Sequence, residues 1–180
     1  LTHTAAEKRA LLAQIAYQEG KVGRQGNEQK AGAEIERYLN VFRAEFNAIA
    51  CTTKYSDKTI GFDWCCAFVY YCCLQAGFSP PIQPIPDRRS TLGFVSLWYE
   101  WANFLENQFY CSANRSDFEP KSGDIVLFDR LLEPVALDHI GIVVEVRSGE
   151  IITAEGNVNN RSGIFHRPFD QHINGYIRLI

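Results

Sequence analysis

The 180-residue sequence contains no methionine and only 4 histidines. Starting at Leu1 without a Met, it is expected to be a processed chain or a domain cut from a longer protein, with no leader segment left to read. No apolar run reaches the ~18 residues that a membrane span needs. The longest uncharged stretch, Trp64 to Pro86, is broken by Gly77 and four prolines, so no membrane is expected as a partner. Positive charge is not in excess either: 18 Lys and Arg stand against 21 Asp and Glu, a net charge of −3. Phosphate contacts need a basic face, so nucleic acid is not an expected partner. Internal repeats are also missing.

What is present is the composition of an ordinary globular protein, 46% hydrophobic and 22% charged. Residues 1–180 fit a single domain. A chain of this size buries roughly 70% of its unfolded surface and needs no covalent staples.

Six cysteines occur, and four of them, Cys65, Cys66, Cys72 and Cys73, lie within nine residues. If residues 64–76 are helical, Cys65 and Cys72 stand about 10 Å apart along the axis, too far for a disulfide. None of the four pairs at i,i+3 or i,i+4, so they do not converge on one zinc ion. No metal or cofactor is expected. Small buried residues explain Cys66, Cys72 and Cys73.

The helical elements come first. Thr4 and Glu7 fit a capping box, Leu11, Leu12, Ile15 and Ala16 form a stripe, and Gly20 suits the stop. A second helix is predicted from near Asn27, with Ala31, Ile35, Leu39, Phe42 and Phe46 on one face. Residues 51–63 read as a loop. The uncharged segment 64–76 reads as a central buried helix, capped by Asp63 and ended by Gly77. Prolines 80, 81, 84 and 86 make an extended loop. Residues 90–105, with Trp98 and Trp101, predict another helix; the tryptophans either pack or line a sugar-binding groove.

The last third predicts strands at 124–128, 139–146, 150–157 and 176–180, with a fifth at 163–166. Helices first and antiparallel strands second make the fold class α+β. The loop Arg147-Ser148-Gly149 fits a three-residue hairpin with a left-handed Gly. Counting back from it pairs Val146 with Glu150, Ile142 with Ala154, Gly141 with Glu155 and His139 with Asn157. Ile140, Ile142, Val144, Val146, Ile152 and Ala154 then share one face, and His139, Gly141, Glu155 and Asn157 the other. That second face is either a site or a solvated outer surface.

Cys65 stands in the first turn of the buried helix, where free N–H groups and the helix dipole favour a thiolate. A thiolate nucleophile needs an imidazole partner, and the imidazole needs a polar group to fix its tautomer. Cys65, His139 and Glu155 or Asn157 supply these parts in order. Cys66, about 100° around the helix, is the rival nucleophile, and periodicity does not choose between the two. His3, His166 and His172 read as surface or packing residues, and Asp138 as a turn residue.

The segment Trp64-Cys65-Cys66-Ala67-Phe68-Val69 resembles the Trp-Cys-Ala-x-Phe-Val motif of CHAP domains, the cysteine, histidine-dependent amidohydrolase/peptidases. Ser122-Gly123-Asp124-Ile125-Val126-Leu127-Phe128 resembles their Gly-Asp strand, Asp138-His139-Ile140-Gly141 their histidine strand, Thr153-Ala154-Glu155-Gly156-Asn157 their Glu-Gly-Asn segment, and Gly175-Tyr176-Ile177-Arg178 their last strand. Ala16-Tyr17-Gln18-Glu19-Gly20 matches more loosely. The resemblance spans roughly residues 10–180.

It implies a papain-like fold, in which N-terminal helices include a buried nucleophile helix packed on an antiparallel sheet. It selects Cys65 as nucleophile and His139 as base. Glu155 would orient His139, and Asn157 would assist or complete a quartet. It also implies hydrolysis of an amide bond in bacterial peptidoglycan, at N-acetylmuramoyl-L-alanine or within the stem and cross-bridge peptides. Such a protein acts at the cell wall, secreted or delivered by a phage. Because the net charge gives no attraction to an anionic wall, a separate wall-binding module is an expected companion. The sequence departs from the family at Cys66 and in the long segment 40–63.

Two other readings remain. NlpC-type endopeptidases share the fold but carry a second histidine on the next strand, where this chain has Glu155 and Asn157. A non-catalytic wall-binding domain would be expected to have lost one of the three reactive groups.

Overall fold

Helix α1 (Ala5–Val22) starts as its sequence signals: Thr4 Oγ1 accepts from the Glu7 N–H at 3.2 Å, and Glu7 Oε2 from the Thr4 N–H at 2.7 Å. The computed structural model describes residues 3–86 and 88–180. α1 does not stop at Gly20 but runs on to a left-handed Gly23. Gly20 serves close packing instead, since a Cβ there would lie 2.8 Å from the Gly163 carbonyl oxygen and from Ile164.

The long second helix predicted from Asn27 is replaced by two short ones, α2 (Glu36–Leu39) and α3 (Arg43–Ala50). Positive φ angles at Lys30 and Gly32 prevent an early start. The apolar spacing still marked burial, because Ala31, Ile35, Leu39, Phe42 and Phe46 are all in the core. Arg43 ties this region to the following loop: its buried guanidinium holds Glu36 at 2.8 and 2.6 Å and the carbonyls of Tyr55 and Ile60 at 2.9 and 2.8 Å.

Helix α4 (Cys65–Gln75) is buried on almost every side, as its lack of charge predicts. Trp64 stacks on Tyr38 with ring centroids 5.5 Å apart. Helix α5 (Val95–Ala102) is shorter than predicted, and Trp98 and Trp101 are packing residues; the Trp98 indole donates to the Leu92 carbonyl at 2.7 Å.

Six strands follow: β1 (Tyr110–Ser112), β2 (Ile125–Phe128), β3 (His139–Arg147), β4 (Glu150–Val158), β5 (Arg161–Pro168) and β6 (Ile173–Ile177). They form one antiparallel sheet in the order β1-β6-β2-β3-β4-β5. β1 carried no sequence signal, and β6 begins before the predicted 176. One face, with Ile125, Leu127, Ile140, Ile142 and Ala154, packs on α1 and α4. The other carries a smaller core of Val126, Phe128, Val143, Ile151 and Tyr176. This is the α+β, papain-like arrangement implied by the resemblance, with the Cys65 helix laid on an antiparallel sheet.

The β3–β4 hairpin differs from expectation at its tip. Arg147 pairs with Glu150, so the loop has two residues, and a bulge at Val144 takes up the extra one. Beyond the bulge Ile142 pairs with Ala154, the register predicted near the site.

Candidate active site

Gly156 allows α4 to sit directly on β4. A Cβ at residue 156 would lie 2.5 Å from Phe68 Cβ and 2.9 Å from the Trp64 ring. The contact carries the N-terminus of α4 to the start of β3, where Cys65 and His139 line one open cleft of roughly 710 Å³. Cys66, Asp63, Phe94, Asp138 and Asn157 also contribute to its walls.

Asp63 does not cap α4. Trp64 takes the cap position with no side-chain hydrogen bond, and the Asp63 carboxylate instead accepts from Lys30 and from Asn157 Nδ2, the latter at 3.0 Å. No side chain caps the helix start. Its first N–H groups and the positive end of its dipole are left for the Cys65 sulfur and for a ligand's negative charge.

The face carrying His139 and Glu155 is buried, not solvated: His139 is 1% exposed and Glu155 0%. Their side chains meet, with His139 Nε2 at 2.9 Å from Glu155 Oε2. Gly141 makes the approach feasible, because a Cβ there would lie 2.8 Å from Glu155 Cγ. With Nε2 turned to the carboxylate, Nδ1 is the nitrogen left for the sulfur. Thr153 Oγ1 donates to Glu155 Oε1 at 2.5 Å. Arg167 grips both carboxylate oxygens, Nε to Oε1 at 2.9 Å and Nη2 to Oε2 at 2.7 Å.

The ionisation states follow from these neighbours. Hydrogen bonding from Cys66 first, against the opposing effect of burial, and then from His139, lowers the Cys65 thiol to about 5. Burial opposes a charged His139, but Cys65 and Glu155 outweigh it and raise the ring to about 10. Burial likewise opposes a charged Glu155, and Arg167 and His139 overcome it, holding the carboxyl at about 2. Near neutral pH the site is thus a thiolate beside an imidazolium beside a carboxylate. Burial pushes Cys66, Cys72 and Cys73 the other way, leaving inert thiols.

The structure brings Cys65, His139 and Glu155 into one row. Asn157 lines the same cleft as His139, and its amide donates to Asp63 at 3.0 Å. Its left-handed backbone, φ 60°, lies within the strand irregularity between Glu155 and Val158. Asp138 accepts backbone N–H bonds from Leu131, Leu132 and Glu133 at 3.2, 2.7 and 2.9 Å, a turn-holding role. His166 is exposed on β5 and pairs with Glu150. Sequence reasoning did not find Arg167 or the Thr153 bond. Thr153 was legible as a strand neighbour two residues from Glu155; Arg167 depended on the β4–β5 register.

Among the described residues no three His, Cys, Asp or Glu gather as a metal site, and no helix is long and apolar enough to cross a membrane. Residues 57–157 match the family model described as CHAP domain. That span holds Cys65, His139, Glu155 and Asn157. No curated protein matches the chain. Two solved structures, described as the crystal structure of Ly7917 and the crystal structure of Ly7917 with the hydrolyzing product of MDP, are each 15% identical, with TM-scores of 0.43 and 0.42. The matches cover 98% of this chain and 63% of those chains, so it spans less than two thirds of their length.

Proposed function

The chain belongs to the CHAP domain family, and from that membership we propose that it is a cysteine-dependent amidase or peptidase that hydrolyses an amide bond of bacterial peptidoglycan. The observation that carries the reading is the buried row of Cys65, His139 and Glu155 opening into a cleft. The bond is N-acetylmuramoyl-L-alanine or one within the stem or cross-bridge peptides, and the place of action is the cell wall.

In this reading the Cys65 thiolate attacks the amide carbonyl. Charge builds on the carbonyl oxygen, and the uncapped N–H groups of α4, that of Cys65 first, offset it. The tetrahedral adduct collapses to a thioester as the His139 imidazolium passes a proton to the leaving amine. Neutral His139 then takes a proton from water, which releases the carboxylate product and restores the thiolate. Glu155 holds Nε2 throughout, so Nδ1 stays aimed at the reacting atoms. Asn157, in the same cleft, assists this group, with its amide held by Asp63.

Purified walls provide the test. Cys65→Ala is expected to abolish their solubilisation, while Cys66→Ala, which removes a hydrogen bond to the thiolate but not the nucleophile, is expected to reduce it without abolishing it. Lysis unchanged by Cys65→Ala would remove the proposal. Mass spectrometry of the released muropeptides identifies the bond: free N-terminal alanine on intact stems marks an amidase, and shortened stems mark an endopeptidase.

A further inference from the structure

Arg167 lies on β5, outside the stretch that matches the family model. Its guanidinium is mostly buried, with 16% side-chain exposure, and it reaches the site by packing over the Phe165 ring at 4.8 Å and the Phe128 ring at 5.8 Å. Phe128 in turn stacks on His139, with centroids 6.0 Å apart. Arg167 makes a two-pronged bond to Glu155, and Glu155 Oε2 is shared between Arg167 and His139. The row from the cleft inward therefore alternates in sign: thiolate, imidazolium, carboxylate, guanidinium.

We propose that Arg167 is a positioning residue of the thiol site, whose guanidinium fork fixes Glu155 as the anionic partner of His139. The inference rests on the cysteine–histidine reading above. A fully buried carboxylate facing one imidazole has a proton to gain. If Glu155 becomes neutral, the imidazolium loses its counter-charge, and the thiolate loses the imidazolium. The second cation keeps Glu155 charged, and its planar fork also fixes the carboxylate's orientation. The charged or titratable groups facing Glu155 are His139 from β3 and Arg167 from β5; those facing Cys65 are Cys66 from its own helix and His139.

The pH dependence of Cys65 alkylation by iodoacetamide tests this without any wall substrate. The modified Cys65 peptide is quantified by mass spectrometry, which separates it from exposed Cys51. In Arg167→Met the alkylation midpoint is expected to move up by about one pH unit or more, and the acid limb of wall hydrolysis to move with it. Arg167→Lys, which keeps the charge, is expected to restore the midpoint toward the parent value. A purely structural role would lower the folded fraction and leave the midpoint in place. If Arg167→Met does not fold, Arg167→Gln keeps an N–H donor without the charge and carries the same expectation. An unmoved midpoint in a folded, uncharged variant overturns the proposal. If Cys65→Ala is inactive while that midpoint stays fixed, only the role of Arg167 falls; if Cys65→Ala is active, the enzyme reading falls as well.

Discussion

His139 and Cys65 titrate against one another, so the reactive form has two boundaries. Below about 5 the thiolate takes up a proton, and above about 10 the imidazolium gives one up. A bell-shaped kcat/KM with limbs near those values is expected from a pH series on a soluble muropeptide, the limbs belonging to the pair and not to either residue. Glu155 adds a stability effect of known sign. Its folded value of about 2 lies below the ordinary 4.5, so its contribution is complete above 4.5 and is lost as pH falls toward 2. Urea midpoints measured across that window are expected to drop. Glu155→Gln keeps the shape but removes the charge that anchors Nε2, and a kcat loss of about 10²–10⁴-fold is expected, measured by muropeptide release. At this scale the sequence named Cys65, His139 and Glu155 and missed Arg167.

At the scale of elements, the contact of α4 on β4 decides whether the thiol meets the ring. Gly156 lies at that contact, where a Cβ would run into Phe68 and Trp64. Gly156→Ala forces overpacking, expected to cost about 1–3 kcal/mol in a denaturant titration and to lower activity by pushing the helix N-terminus off the sheet. The same scale explains which strand pairings were legible. The β3–β4 register near the site was read correctly although the loop was not, because the shorter loop and the bulge at Val144 offset each other. β4 and β5 join through a two-residue turn, Asn159-Asn160, both left-handed at φ 50° and 59°, a turn chemistry that sequence can signal. Yet a one-residue irregularity between Glu155 and Val158 follows it. Counting straight from the turn would place Arg167 on the opposite face from Glu155.

At the scale of the whole molecule, the net charge of −3 works against approach to an anionic polymer. Raising salt from low to physiological strength screens that repulsion beyond about 8 Å. Wall solubilisation by this chain is therefore expected to hold or rise between 10 and about 150 mM NaCl, as followed by turbidity; a steep fall would point to attraction through a local basic patch. A long-range tie also joins neighbouring β2 and β6. Arg178, just past β6, grips buried Asp124, ahead of β2, at 2.8 and 2.7 Å. This pair accounts for the Gly-Asp and terminal Tyr-Ile-Arg segments belonging to one unit.

The sequence by itself carried the α+β class and the buried helix, which follow from charge-free periodicity and strand alternation, and its motifs, through their resemblance to CHAP domains, singled out Cys65, His139, Glu155 and Asn157. Only the tertiary structure decided that Asp63 makes no cap on the helix start, that the Asn157 amide donates to Asp63, and that a guanidinium stands behind Glu155. These depend on bulges of one residue and on approaches of a few ångströms between distant segments, where a single-residue shift reverses the face a side chain occupies.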